Sequence, residues 1–197
     1  MLNVEQVGIY SAMLRLVEGW YFFPAIVVST LMPYFVKLRE KSTELYNKRL
    51  IELYSFMLWL GVVVGVGVVI FGEYGITLLF GEKYVTGYQS LVFNIWNGIF
   101  VSQALVRGIW LINENLQKYR VFTNVLTVIT NIILNIILIP IMGISGAALA
   151  SFISVALSVW GYSFLFKPLR QSTLAMIKSS SPKYLYRFFR DFRAQKI

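Results

Sequence analysis

The chain has 197 residues, 57% hydrophobic and 14% charged, with a net charge of +9, a mean hydropathy of +0.67 and a pI near 9.8. A soluble domain carries about 25% charged residues, so this composition excludes a water-soluble fold and points to a chain that crosses a bilayer several times. With no cysteine and no histidine, a disulfide framework, a thiolate metal site and the commonest general base are all excluded, and no cofactor or metal is expected.

Five apolar runs follow one another, each reaching the roughly 20 residues that cross about 30 Å of hydrocarbon as a helix. They lack the alternation of a barrel strand, so an all-α, polytopic membrane helix bundle of about five transmembrane helices is predicted over residues 1–166. Run one, residues 8–36, contains Pro24 and Pro33 and is predicted to be tilted or kinked. At helical spacing Gly8, Ser11, Arg15, Glu18, Phe22, Ala25 and Ser29 form one small and polar stripe. A charge inside a span is costly and demands a reason. The stripe reads as the wall of a hydrated cavity, in which Arg15 attracts a diphosphate and Glu18 holds the arginine or takes up a proton. The competing reading is an internal ion pair, or Arg15 reaching out to the interface.

Run two, residues 53–80, carries the step Gly61-xxx-Gly65, read as helix packing, with Glu73 and Glu82 solvated near its end. Run three, residues 91–112, holds Asn94, Asn97, Gln103 and Arg107. These read either as a second wall of the same cavity or, for Arg107, as a side chain reaching the headgroups two turns away. Run four, residues 121–141, has the stripe Asn124, Thr127, Asn131 and Asn135. Run five, residues 144–166, has Gly146, Ala150, Ser154, Ser158 and Gly161. Both read as packing faces, small residues allowing close approach and amides bonding between helices. Residues 167–197 form a basic, aromatic tail, either an interfacial helix on anionic lipid or a partly disordered segment that fixes topology.

Fifteen of the 18 basic residues fall between runs one and two, between runs three and four, or in the tail, whereas the opposite loops hold only Lys83. The positive-inside rule therefore predicts a cytoplasmic C-terminus and a first run that starts outside. Basic residues spread through loops argue against a nucleic-acid partner. Met1 to Gln6 do not form a signal peptide, and a start outside the membrane predicts that the chain is the C-terminal part of a longer transporter.

Three stretches carry a resemblance. Val7-Gly-Ile-Tyr-Ser-Ala, followed by Arg15-Leu-Val-Glu18-Gly-Trp-Tyr-Phe-Phe-Pro24 and Leu31-Met-Pro33, resembles a span of bacterial polysaccharide flippases. These are the O-antigen repeat-unit exporters of the multidrug/oligosaccharidyl-lipid/polysaccharide exporter superfamily. Asn131-Ile-Ile-Leu-Asn135 with Ile139-Pro140 and Gly143-Ile-Ser-Gly146-Ala-Ala-Leu-Ala150 resembles the hairpin joining that family's last two spans, and Leu79-Phe-Gly-Glu-Lys-Tyr84 its short outer loop. The resemblance runs to about Phe166. It implies an incomplete, MATE-like C-terminal lobe whose N-terminal lobe is missing. It also implies residence in the bacterial inner (plasma) membrane and alternating-access export of undecaprenyl-diphosphate-linked oligosaccharide for surface polysaccharide and lipopolysaccharide biosynthesis. The substrate-binding candidates are then Arg15, Glu18, Asn94, Asn97 and Arg107, and the partners are the lipid-linked oligosaccharide and membrane lipids. The alternatives are a multidrug exporter of the same fold, a membrane polysaccharide polymerase or ligase, and a non-transporting remnant. With no histidine, no cysteine and short outer loops, an enzyme is not expected.

Overall fold

The computed structural model describes residues 3–194, with side chains from 3 to 191; Met1, Lys196 and the side chain of Arg193 lie outside the described residues. The helices are α1 (Val4–Lys41), α2 (Thr43–Phe80), α3 (Tyr88–Asn113), α4 (Gln117–Met142), α5 (Ile144–Ala156), α6 (Arg170–Ser179) and α7 (Pro182–Ala194). Among the described residues five helical stretches are long and apolar enough to cross a bilayer: those of α1 to α4, and α5 with its extension to Phe164. The protein is an all-α polytopic membrane helix bundle, helices being elements that bond their own backbone groups as a bilayer requires.

The local sequence sets the helix ends. Asn3 caps α1 in a reciprocal box, accepting from the Gln6 amide at 2.8 Å while the Gln6 side chain accepts from the Asn3 amide at 3.3 Å. Ser42 both ends α1 and caps α2, its hydroxyl accepting from the Leu45 amide at 3.2 Å. Pro24 and Pro33 lie inside α1, which runs as one 38-residue helix through both. At 1.5 Å per residue, α1 and α2 are each about 57 Å long, well beyond the hydrocarbon thickness.

Small residues set the packing. α3 is the hub, packing against α1, α2 and α5, while α4 rests on α5. The Gly61-xxx-Gly65 step meets α3, where a Cβ at Gly61 would lie 2.8 Å from Ile99 and one at Gly65 3.2 Å from the Trp96 ring. α4 turns back into α5 at Gly143, whose φ of 57° favours glycine. Two apolar cores result. The larger joins Phe35, Tyr46, Leu53, Tyr54, Val106 and Trp110 near the α1–α2 turn. The smaller joins Met13, Val17, Ile76, Leu91 and Ile95 at the opposite end.

Ionic contacts show which loops share an end. Arg39 meets Glu114 at 2.8 Å, and Lys48 and Arg49 meet Asp191 at 3.2 and 3.0 Å. At the other end Lys83 meets Glu5 at 2.9 Å and Ser145 donates to Gln89 at 3.4 Å. The loops alternate as the distribution of Lys and Arg requires, and the first set defines a basic end.

The fifth run differs in detail from the sequence expectation, and the tail takes the helical one of its two readings. The fifth run does not continue as one regular helix to residue 166; after Ala156 it widens into a π-helical turn over Leu157–Gly161 and then tightens into a 3-10 turn over Tyr162–Phe164. The tail is helical through residue 194 and folds back on the overhanging start of α2. Phe188 stacks on Phe56 with centroids 4.7 Å apart, and Asp191 sits among Arg190, Lys48 and Arg49.

The hydrogen bond from Arg190, then that from Lys48 and the charges of Lys48 and Arg49, hold the Asp191 carboxyl below its ordinary range. A depressed carboxyl stabilises the docked tail above its unfolded value of about 3.9, and that contribution is lost as pH falls through the lower folded value. Asp191→Asn removes the contribution at neutral pH. Limited proteolysis there is expected to release α7 about fivefold faster than in the wild type, the equivalent of roughly 1 kcal/mol for a partly exposed ionic network.

Candidate functional site

A hollow of about 460 Å³ lies among α1, α3, α4 and α5. Ile9, Met13 and Val17 are the buried positions in this stretch of α1. Tyr10, Leu14 and Glu18 each follow one of them and so stand one step round the helix, at the edge of the hollow, together with Tyr21. α3 contributes Asn94 and Asn97, α4 Thr127 and Asn131, and α5 Ser151 and Ser154. Thr127 and Asn131 stand at mid-length of the 26-residue α4, so the hollow lies about 20 Å from either end of that helix. α4 otherwise buries only Thr123 and offers its remaining surface outward, which leaves the hollow a groove between α1 and α4 with α3 and α5 behind it.

Most polar groups around the groove are already partnered. The Tyr21 hydroxyl donates to the Asn94 carbonyl at 2.9 Å, and the Asn94 amide to the Ser90 carbonyl at 2.9 Å. Thr127 and Ser154 donate to carbonyls one turn back on their own helices, each at 2.7 Å. The Asn131 amide donates to Ser151 at 3.4 Å. Asn97 is the exception: it is 6% exposed, and its Oδ1 meets no donor. A buried acceptor left unpaired costs about 1–3 kcal/mol, which a bound donor would offset. Glu18, the one ionisable acid on the walls, adds a carboxylate that when charged only accepts. Asn97 and Glu18 thus make this a site for hydrogen-bond donors.

Of the five sequence candidates, the fold brings Glu18, Asn94 and Asn97 together in this groove. Arg15 stands exposed on α1 outside it, and the stripe from Gly8 to Ser29 is for the most part the outward face of that helix. Arg15 and Glu18 share a face but form no ion pair among the described residues. Tyr21, Asn131 and Ser154 were not read as site residues. Asn131 and Ser154 belong to stripes read as packing faces, and they serve both purposes, because the α4–α5 contact forms one side of the groove.

Arg107 is elsewhere. It is 6% exposed and points from α3 into the basic end. There it donates to Ser163 at 2.5 Å, to the Val159 carbonyl, to Thr173 at 3.2 Å and toward the Met176 sulfur at 3.1 Å. None of these partners is anionic, and its Nε has no partner. Neither the substrate-wall nor the headgroup reading describes this position: the guanidinium pins α3 to the π-helical turn and to α6. The widened turn exposes a carbonyl for it, as such turns do.

No group of three potential metal ligands occurs among the described residues. The fold and the groove together define a polytopic helical membrane protein with a polar site held within its spans. No family model matches the chain, and it matches no curated protein and no solved structure.

Proposed function

We propose that the chain forms part of a membrane exporter that flips a lipid-linked oligosaccharide, with the sugar head passing through the groove while the lipid stays in the bilayer. The observation that carries this reading is the buried, unpartnered Asn97 Oδ1 on the wall of a groove whose exposed edge carries the Glu18 carboxylate. Sugar hydroxyls donate to amide and carboxylate oxygens, and the Tyr10 and Tyr21 rings give sugar faces an apolar platform. The lateral opening between α1 and α4 suits a passenger whose tail remains in lipid. Exposed Arg15, three residues from Glu18, suits a diphosphate at the rim rather than inside. Alternating access, a second lobe opposite the groove and a bacterial plasma membrane belong to this reading, with the basic end cytoplasmic.

The test is expression in a bacterium lacking its own oligosaccharide flippase, with surface polysaccharide as the readout. Asn97→Ala and Glu18→Gln are each expected to lower export about tenfold, the equivalent of losing one charge-assisted hydrogen bond or its partner, with unchanged protein levels. Export by both variants at the wild-type rate sinks the site.

A second reading rests on one observation: among the described residues no arginine or lysine lines the groove, and its one acid stands along α1 between two tyrosines. That arrangement also suits a cationic amphiphile. Under this reading Glu18→Gln abolishes efflux of a cationic dye and leaves polysaccharide untouched.

A further inference from the structure

We infer that the outer faces of α6 and α7 form a binding platform for anionic phospholipid of the leaflet at the basic end. The first observation is that α6 keeps hydroxyl side chains inward and leaves aliphatic ones exposed. Its buried face is Ser172, Thr173, Met176 and Ser179, which bond to Tyr54, to Arg107 and to their own helix. Its exposed side carries Leu174 at 50% exposure and Ile177 at 47%, together with Arg170, Gln171 and Lys178. A helix in water would place those side chains inward. Exposed aliphatic side chains among basic and polar ones, over an inward face that is largely hydroxyl-bearing, fit a helix at the boundary of hydrocarbon and headgroups.

The second observation is position. Phe188 of α7 stacks on Phe56, close to the start of the apolar run of α2, so α7 lies where the headgroups meet the acyl chains. Its outward residues are Lys183, Tyr186 at 69% exposure, Phe189 at 50% and Arg190, a mixture of aromatic and basic side chains suited to that depth.

Charge supplies the occupant. Residues 167–191 hold six basic residues and one acid, and that acid is engaged by Lys48, Arg49 and Arg190. Lys167, Lys178 and Lys183 are exposed and have no ion-pair partner among the described residues. Between α2 and α6 a cleft of about 420 Å³, lined by Leu50, Ile51, Trp110, Leu174 and Ala175, opens beside Lys178. An acyl chain fits its walls and a phosphate its lysine. Anionic headgroups and not zwitterionic ones match the uncompensated positive charge.

The chain has no cysteine, so a single nitroxide can be placed at Ile177→Cys or Phe189→Cys in the full chain. Reconstituted with phosphatidylcholine and phosphatidylglycerol, both positions are expected to admit lipid-soluble oxygen more readily than an aqueous nickel chelate. Spin-labelled phosphatidylglycerol is expected to be held at the protein surface in preference to spin-labelled phosphatidylcholine. Lys167→Ala, Lys178→Ala and Lys183→Ala combined should cut that preference about a hundredfold, at about fivefold for each basic group at the surface. Greater access of the nickel chelate would place the platform in water and overturn the inference. Exclusion of both reagents would mean that protein covers it and would overturn the inference equally, as would an unchanged lipid preference in the triple variant. None of these readouts depends on transport.

Discussion

Gly146→Ala is expected to open the α4–α5 hairpin and to lower the stability of the bundle by about 3 kcal/mol or more. A Cβ at this position would lie 2.3 Å from the carbonyl oxygen of Leu138 and 2.6 Å from its carbon. Those are backbone atoms near the end of α4, one turn before the Gly143 reversal, and they cannot rotate aside as a side chain can. In lipid there is no hydrophobic force to hold the two helices together once their close contact is spoiled, because acyl chains offer an equally apolar neighbour. α4 buries only Thr123 and packs mainly on α5, so it has little else to anchor it. The groove should fail with the hairpin, since Thr127 and Asn131 reach it from α4. Thermal denaturation in detergent measures the loss. Gly67→Ala is the control: nothing lies within 4 Å of its Cβ position, and it should be neutral or mildly stabilising. Equal stability of the Gly146 and Gly67 variants would contradict the close approach.

Arg107→Ala is expected to cost about 2–4 kcal/mol through the cavity it leaves and the loss of the guanidinium's hydrogen bonds. It should loosen α6, because the guanidinium joins α3 to Val159, Ser163, Thr173 and Met176. The substitution series separates packing from charge. Ser163 and Thr173 each have a backbone acceptor of their own, at 3.1 and 3.3 Å, and do not depend on Arg107. Among the described residues no carboxylate pairs with the buried guanidinium. Arg107→Met, which keeps most of the volume and removes an uncompensated charge, should therefore cost less than half as much as alanine. Arg107→Glu should be worse than either, since it aims an acceptor at the Val159 carbonyl. Denaturation midpoints rank the three. In the export assay, Arg107→Ala is expected to act by lowering the amount of folded protein, in contrast to Asn97→Ala and Glu18→Gln. Normal protein levels with lost export would return Arg107 to the passenger's path.

The two glycine contacts and the arginine show how far the sequence could be read. Gly61 and Gly65 were legible as a packing step because small residues four apart have one common use between membrane helices. Gly146 was legible as part of such a stripe, although its proximity to the Leu138 backbone was not. Arg107 was legible as an anomaly, an intramembrane charge needing partners. Those partners come from residues 159–176, more than fifty positions away, and no helical period connects them.

The sequence alone determined the all-α class, the five spans and the alternation of the loops, because run length and the placement of Lys and Arg are local quantities tied to bilayer thickness and to the cost of charge. It also marked Glu18, Asn94 and Asn97 as polar residues needing a reason. Only the tertiary structure decided which faces turn inward. In water the apolar face of a helix points to the core, so periodicity predicts burial; in lipid both faces are apolar, and neighbouring helices choose. Hence the polar stripe of α1 looks largely outward, Arg15 stays outside the groove, Arg107 becomes a pin, and the tail helix α6 presents its leucine and isoleucine to the outside.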